Sequence, residues 1–408
     1  MAQEHDDTDP VLPLAGVRVL DFSRLLPGPW ATQMLAEMGA DVVKIEQPGI
    51  GDPSRHNRPS YRKHSVYFNV ANGSKRSLTL DLRKPEGREI GRKLVHGADV
   101  IVESFRPGVA RKLGIDYPSV REINLRAIHC SITGFGQTGP LAHIAGHDLV
   151  LQGMTSLMGC ALEHQNPPAV PGFQSADFAG ALFAVIGIQA ALAKRDKTGE
   201  GCEIDLGMFE SLFSMCFLPL SSALARASGR EGEPRMESFG GNPRYATYLS
   251  RDGKPVAVSL LETKAWVEFC RRIGRPDLVS ENETPADRLS AHGALGESYR
   301  QALTEYCAAH DWADLMRALE ETGIAICPIC TPEEALALPQ VAARGLVAEI
   351  DHPLEGSVRH LVNPLWRAGL AEREHRPAPD LGEHNDEILR ELGYAEEAIT
   401  LLKRDGVV

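Results

Sequence analysis

The chain has 408 residues, 43% of them hydrophobic and 24% charged, with a formal net charge of −12. That length and balance allow two domains with cores of their own. The acidity excludes broad binding to nucleic acid or an anionic membrane, both of which need a basic face.

Residues 1–10 are acidic and polar and lack the pattern of a signal or transit peptide, so 1–11 are expected to be a disordered lead-in. From residue 17 short apolar runs alternate with helical ones. Residues 17–22 read as a strand, Pro27-Gly28-Pro29 as a turn, 30–38 as a helix and 41–46 as the next strand. Residues 77–82, 100–103 and 127–132 read as further strands, with a helix over 86–95. Strands alternating with helices imply βαβ units and a mostly parallel sheet, whose ligands gather at the carboxyl ends of the strands. The first strand is not followed by G-x-G-x-x-G, so a dinucleotide pyrophosphate turn is not indicated. Residues 177–195 are apolar on nearly every face and read as a buried central helix. A second apolar segment covers 208–224. Composition then shifts to Gly, Arg, Pro and Ser, which marks a linker and a second, smaller domain over roughly 225–335. That domain opens on a hairpin about Arg251-Asp252-Gly253-Lys254. Residues 336–408 are a return segment with two strands, a proline-rich connector and two short helices. No stretch is apolar for the ~18 residues of a bilayer span. The eight cysteines are scattered, mostly in apolar segments, which fits reduced thiols in a cytoplasm. Cys327 and Cys330 have C-x-x-C spacing, but no second pair stands nearby to complete a zinc site, so no metal is expected.

Chemistry is concentrated in two short stretches. Gly146-His147-Asp148 sets an imidazole beside a carboxylate in a turn. Thirty positions after His147, Asp177 stands in the first turn of the apolar helix, where the macrodipole favours a negative charge. It can be a base, a nucleophile or a simple cap. Asp148 can orient the imidazole or cap a following helix. Glu262 ends a strand in the second domain. Lys44, Lys75, Arg76 and Arg106 lie at or near strand ends and are candidates for phosphate groups, Arg being able to bind bidentately.

Taken together, Leu14–Asp21, Pro27-Gly28-Pro29, Gly39–Glu46, Lys75-Arg76-Ser77, Glu103–Gly108, Gly134–Pro140, Ala176–Gly180 and Pro379–His384 resemble the class III CoA-transferase superfamily, which includes formyl-CoA transferase and alpha-methylacyl-CoA racemase. The resemblance runs from about residue 12 through nearly the whole chain. It implies an α/β fold with a large Rossmann-like domain built from both ends of the chain, a small α+β domain between them, and two subunits interlocked as a homodimer. It also implies coenzyme A as the ligand, delivered as an acyl-CoA, with Lys44, Lys75, Arg76 and Arg106 meeting its phosphates. No metal or redox cofactor is required.

Two chemistries compete within that resemblance. In a racemase, the aspartate and a histidine face opposite sides of the carbon next to the thioester, and one removes a proton that the other returns. In a CoA-transferase, the aspartate attacks the thioester and carries CoA to an acceptor carboxylic acid. The Gly-His-Asp turn, its thirty-residue offset to Asp177, and Glu262 as a support for His147 match the racemase set, and Leu26 stands where formyl-CoA transferases have glutamine. The sequence therefore favours alpha-methylacyl-CoA racemisation, with CoA transfer as the alternative and a non-catalytic binding module as a third reading.

Overall fold

The computed structural model describes residues 12–162, 166–232, 234–374 and 376–408; the expected lead-in at 1–11 lies outside them. The chain divides into two compact units. The first comprises Met1–Gln152, Gly172–Ser214 and Pro339–Val408, and the second Gly153–Pro171 and Met215–Leu338. Composition placed the linker at 225, whereas the second unit begins at Met215 and also takes in 153–171.

The first unit is built on a six-stranded parallel sheet in the order β3-β2-β1-β4-β5-β6. Its strands are β1 (Arg18–Asp21), β2 (Asp41–Glu46), β3 (Arg76–Thr79), β4 (Val100–Glu103), β5 (Ile128–Thr133) and β6 (Glu203–Gly207). β4 and β5 are buried at every position, as expected of strands covered on both faces. β6 was not anticipated, because alternating Glu203 and Asp205 on an edge strand mimic a polar loop. The order reverses between β1 and β4. Chains leaving their carboxyl ends go to opposite sides and open a crevice, where ligands of such folds bind.

The return segment closes the other edge. The His384 N–H donates to the Ser77 carbonyl (3.0 Å), and the Asn385 side chain brackets Thr79, accepting from its N–H (2.9 Å) and donating to its Oγ1 (2.7 Å). Ile388, Leu389, Ile399 and Val407 are buried in one cluster with Leu20, Val43, Leu78 and Ile101. Each such side chain contributes about 1.5–3 kcal/mol by leaving water, so the last thirty residues belong to the core.

The Ser175–Thr198 helix ends on Gly199 at φ +79°, the left-handed stop that glycine adopts without a Cβ penalty. Only one of its faces is buried, the one carrying Ala176, Ala181, Ala184, Ile188 and Leu192. Leu182, Phe183 and Ile186 are exposed, so the expectation of burial on every face is not met within one chain.

In the second unit, β7 (Tyr245–Leu249), β8 (Pro255–Ser259) and β9 (Ile326–Pro328) form an antiparallel sheet. It packs on a core of Trp266, Phe269, Tyr299 and Leu303. The expected hairpin turn has Gly253 at φ +74°. Two further strands of the return segment, β10 (Val347–His352) and β11 (Gly356–Leu361), pair antiparallel in the first unit.

Candidate active site

A cleft of about 480 Å³ opens at the switch point of the parallel sheet. Its walls come from the carboxyl ends of three strands: Arg24–Pro27 after β1, Ser104–Pro107 after β4, and Ile132–Gly134 of β5 and the turn beyond it. Tyr67, the 142–147 stretch, Asp177 and Met208 complete the lining. The Gly-His-Asp turn reaches the cleft by crossing the loop after β5 at two glycines. A Cβ on Gly134 would stand 3.0 Å from the Gly146 Cα, and a Cβ on Gly146 would stand 3.1 Å from the Gly134 Cα. Only two bare backbones can pass so closely.

Asp177 sits in the first turn of the Ser175–Thr198 helix. The residue before that helix, Gln174, supplies no side-chain cap. The cap comes from Asp148, whose Oδ1 accepts the N–H of Ala176 at 2.7 Å and that of Asp177 at 3.4 Å. The Gln152 amide donates to the other Asp148 oxygen and to the Phe173 carbonyl (2.9 Å). Phe178 packs edge-on to Trp30 and stacks on Phe173, each at 4.9 Å. Of the two roles open to Asp148, the structure therefore assigns it a cap, of the helix that carries Asp177. The cap locks the His147 turn to that helix.

Burial pushes the Asp177 carboxyl up to about 7, and the Asp148 charge adds to the shift. Tyr67 shares the cleft. Its phenol is pushed up by burial, then by Asp177 and Asp52. His147 lines the same cleft with an exposed side chain. The structure thus brings Asp177 and His147 to one cavity. Glu262 is exposed in the second unit, just before the Thr263–Arg272 helix, where Arg288 holds its carboxylate at 2.7–2.8 Å.

Three of the four basic positions expected at phosphates are engaged elsewhere. Lys44 is fully buried, its Nζ on Asp52 (2.9 Å) and the Ser23 carbonyl (3.0 Å). Lys75 is also buried. It donates to Asp21 (2.9 Å), Thr32, Asn72 and the Pro29 carbonyl (2.8 Å each). A buried ammonium is tolerated only when paired in this way, so neither can meet a phosphate without leaving a carboxylate stranded. The Arg76 guanidinium is shared among Asp41, Glu387 and Glu391 at 2.6–2.9 Å. Arg106 is exposed at the cleft and makes no ion pair among the described residues.

Sequence reasoning missed Arg24. Its guanidinium lies over the Phe105 ring at 5.1 Å, and these two residues line both the cleft and a neighbouring slot of about 110 Å³. The slot runs over the carboxyl ends of β1 to β3, with Phe22, Ile45 and Leu80 among its walls and Arg83 at its edge. The signal was available, since Arg24 is the third residue past the end of β1, where this topology places ligands. Tyr67 gave no comparable signal. A partly apolar slot that shares a cation–π pair with a carboxylate-bearing cleft suits an elongated ligand with its reacting group in the cleft. Among the described residues, no group of three or more His, Cys, Asp or Glu could hold a metal ion.

Fold and site define a doubly wound α/β protein with a half-buried carboxylate facing its switch-point crevice. The signature of CoA-transferase family III matches residues 14–385, and the chain belongs to that family. It is 33% identical over 401 residues to a succinate–glutarate CoA-transferase of Agrobacterium fabrum, covering 95% of this chain and 98% of that one. It is 34% identical over 394 residues to an acetyl-CoA:oxalate CoA-transferase of Acetobacter aceti, covering 94% and 97%. Among solved structures, a CAIB/BAIF family protein from Brucella suis matches with a TM-score of 0.76 at 33% identity, covering 93% of this chain and 99% of that one. The Agrobacterium and Acetobacter relatives carry CoA-transferase names, which favours the second of the two chemistries over the racemisation that the Gly-His-Asp turn suggested.

Proposed function

We propose that the protein moves coenzyme A from an acyl-CoA donor to a carboxylic acid, with Asp177 as the nucleophile. The observation that carries this reading is a partly desolvated carboxylate in the first helical turn, facing a cleft that shares Arg24 and Phe105 with the neighbouring slot. An ionised Asp177 attacks the thioester carbonyl and expels the CoA thiolate, giving a mixed anhydride. The thiolate then attacks the Asp177 carbonyl and releases the donor acid as its carboxylate. The acceptor carboxylate repeats the two steps in reverse, leaving as its CoA thioester and regenerating Asp177. No proton is gained or lost overall, so no second acid–base group is needed.

Arg24 and Arg106 are the proposed partners of the CoA phosphates, replacing Lys44, Lys75 and Arg76. The exposed apolar stripe of Leu182, Phe183 and Ile186 supports a homodimer in which a second copy covers it. The unpaired state of all eight cysteines fits a reducing, cytoplasmic setting.

Racemisation of a 2-methylacyl-CoA has one observation in its favour, the shared cleft of His147 and Asp177. A panel of acyl-CoAs incubated in heavy water, with and without acceptor acids, separates the two. Acceptor-dependent formation of a new thioester supports transfer. Deuterium at the 2-position without any acceptor supports racemisation.

A further inference from the structure

Beneath the cleft wall lies a buried charge pair that the chemistry above does not use. Asp52 is 1% exposed and Lys44 0%. Besides its ion pair with Lys44, the Asp52 carboxylate accepts the Ser54 N–H (2.9 Å) and hydroxyl (2.7 Å). It also accepts the N–H of Leu25 through both oxygens, at 3.2 and 3.3 Å. Leu25 has φ +63°, a left-handed conformation that a branched side chain adopts only under constraint. Lys44 holds the same turn through the Ser23 carbonyl. Beyond the turn, a Cβ on Gly28 would stand 2.2 Å from the Ser23 Cβ, so the chain folds tightly back on itself there. The residues so held, Arg24 to Pro27, are cleft wall, in the same cavity as Asp177.

We infer that Asp52, paired with Lys44, is a positioning residue. It traps Leu25 in the left-handed turn and thereby sets where the Arg24–Pro27 wall seats a thioester against Asp177. The inference rests on the CoA-transfer reading for its kinetic consequence but not for its structural one. Constrained turns of this kind persist where the surroundings over-determine them, and misplacement of a reacting group by about 1 Å costs on the order of 100-fold in rate.

The test is a double-mutant cycle of Asp52→Asn and Leu25→Gly, with crystal structures of Asp52→Asn and wild type. Asp52→Asn is expected to lower kcat for thioester transfer by about 100-fold with KM for the donor changed less than about threefold. In the Leu25→Gly background, where the turn is free of Cβ strain, the same substitution is expected to cost about tenfold less. A purely structural role would lower the active fraction equally in both backgrounds, and equal losses would overturn the inference. If Asp52→Asn does not fold, the pair Asp52→Asn/Lys44→Met, which leaves neither buried charge stranded, takes its place in both the Leu25 and the Leu25→Gly backgrounds. The crystal structure is expected to show Leu25 out of positive φ; an unchanged turn would overturn the inference even if the protein catalysed no CoA transfer. Conversely, a moved turn in an enzyme without transferase activity would defeat only the CoA-transfer reading.

Discussion

The Asp148 carboxylate accepts the Ala176 backbone N–H at 2.7 Å, across 28 residues of sequence. One hydrogen bond thus fixes the turn that carries His147 against the helix that carries Asp177, and places a second negative charge near the proposed nucleophile. The two effects are separable. Asp148→Asn keeps an acceptor but removes the charge, so the Asp177 pKa should fall and the acid limb of the kcat/KM profile should move to lower pH. Asp148→Ala also removes the cap, which should cost about 1 kcal/mol of stability. Thermal melts beside pH–rate profiles check both; an unmoved acid limb in Asp148→Asn would show that the charge is not felt at Asp177.

As the proposed nucleophile, Asp177 should set the pH dependence. Its folded pKa is raised from 3.8 to about 7, and the nucleophile must be ionised, so kcat/KM should rise through that range and level off above it. The same shift opposes folding. Between 3.8 and about 7 the native state binds the proton that the unfolded chain has released, so stability falls as pH rises and the loss is complete above the folded pKa. Asp177→Asn should abolish transfer yet stabilise the fold by on the order of 2 kcal/mol near pH 8, discounted for partial solvent exposure, and by less near pH 5. Urea melts of the two proteins at the two pH values measure this; an equal gain at both would contradict the assignment.

Buried and exposed basic residues should part company. Lys75→Met strands Asp21 without its ammonium and should destabilise by about 3–5 kcal/mol. Arg24→Ala should leave stability within about 0.5 kcal/mol while weakening coenzyme A binding by about tenfold or more, as expected for loss of a charge-assisted phosphate contact. Calorimetric titration with coenzyme A and thermal melts read the two quantities side by side.

His147 distinguishes the two chemistries by the size of its effect. Under CoA transfer, His147→Ala should lower kcat by no more than about tenfold. Under racemisation the loss should be larger by about 100-fold or more, since the returning proton would have no donor. Steady-state rates with a donor and an acceptor acid, and deuterium uptake without the acceptor, are the measurements.

The parallel sheet was legible because its buried strands carry short apolar patterns between turn signals, Val-Ile-Val at 100–102 and Ile128, Cys130 and Ile132 in alternation. β6 was not, because its alternating acids hide an edge strand. Asp177 stood out through the contrast between its charge and the apolar helix behind it, and His147 through the glycines around it. The pairing of the basic residues was not legible, for a physical reason. Lys44 and Lys75 look like surface charge in a linear pattern, and only the packing shows that Asp52 and Asp21, each on another element, neutralise them inside the core. Tyr67 was invisible because its partners, Asp177 and Asp52, lie on other elements. The open face of the Ser175–Thr198 helix could not be foreseen either, since an apolar face left exposed has the same composition as one buried in the core.

The account stands on covalent participation of one carboxylate. Incubation with a donor acyl-CoA, quenching with hydroxylamine or borohydride, and peptide mass analysis should find the hydroxamate or the reduced alcohol at Asp177 and on no other acid, and none without donor. An unmodified Asp177 in an enzyme that exchanges the 2-proton of a 2-methylacyl-CoA with solvent, needing no acceptor acid, would contradict it.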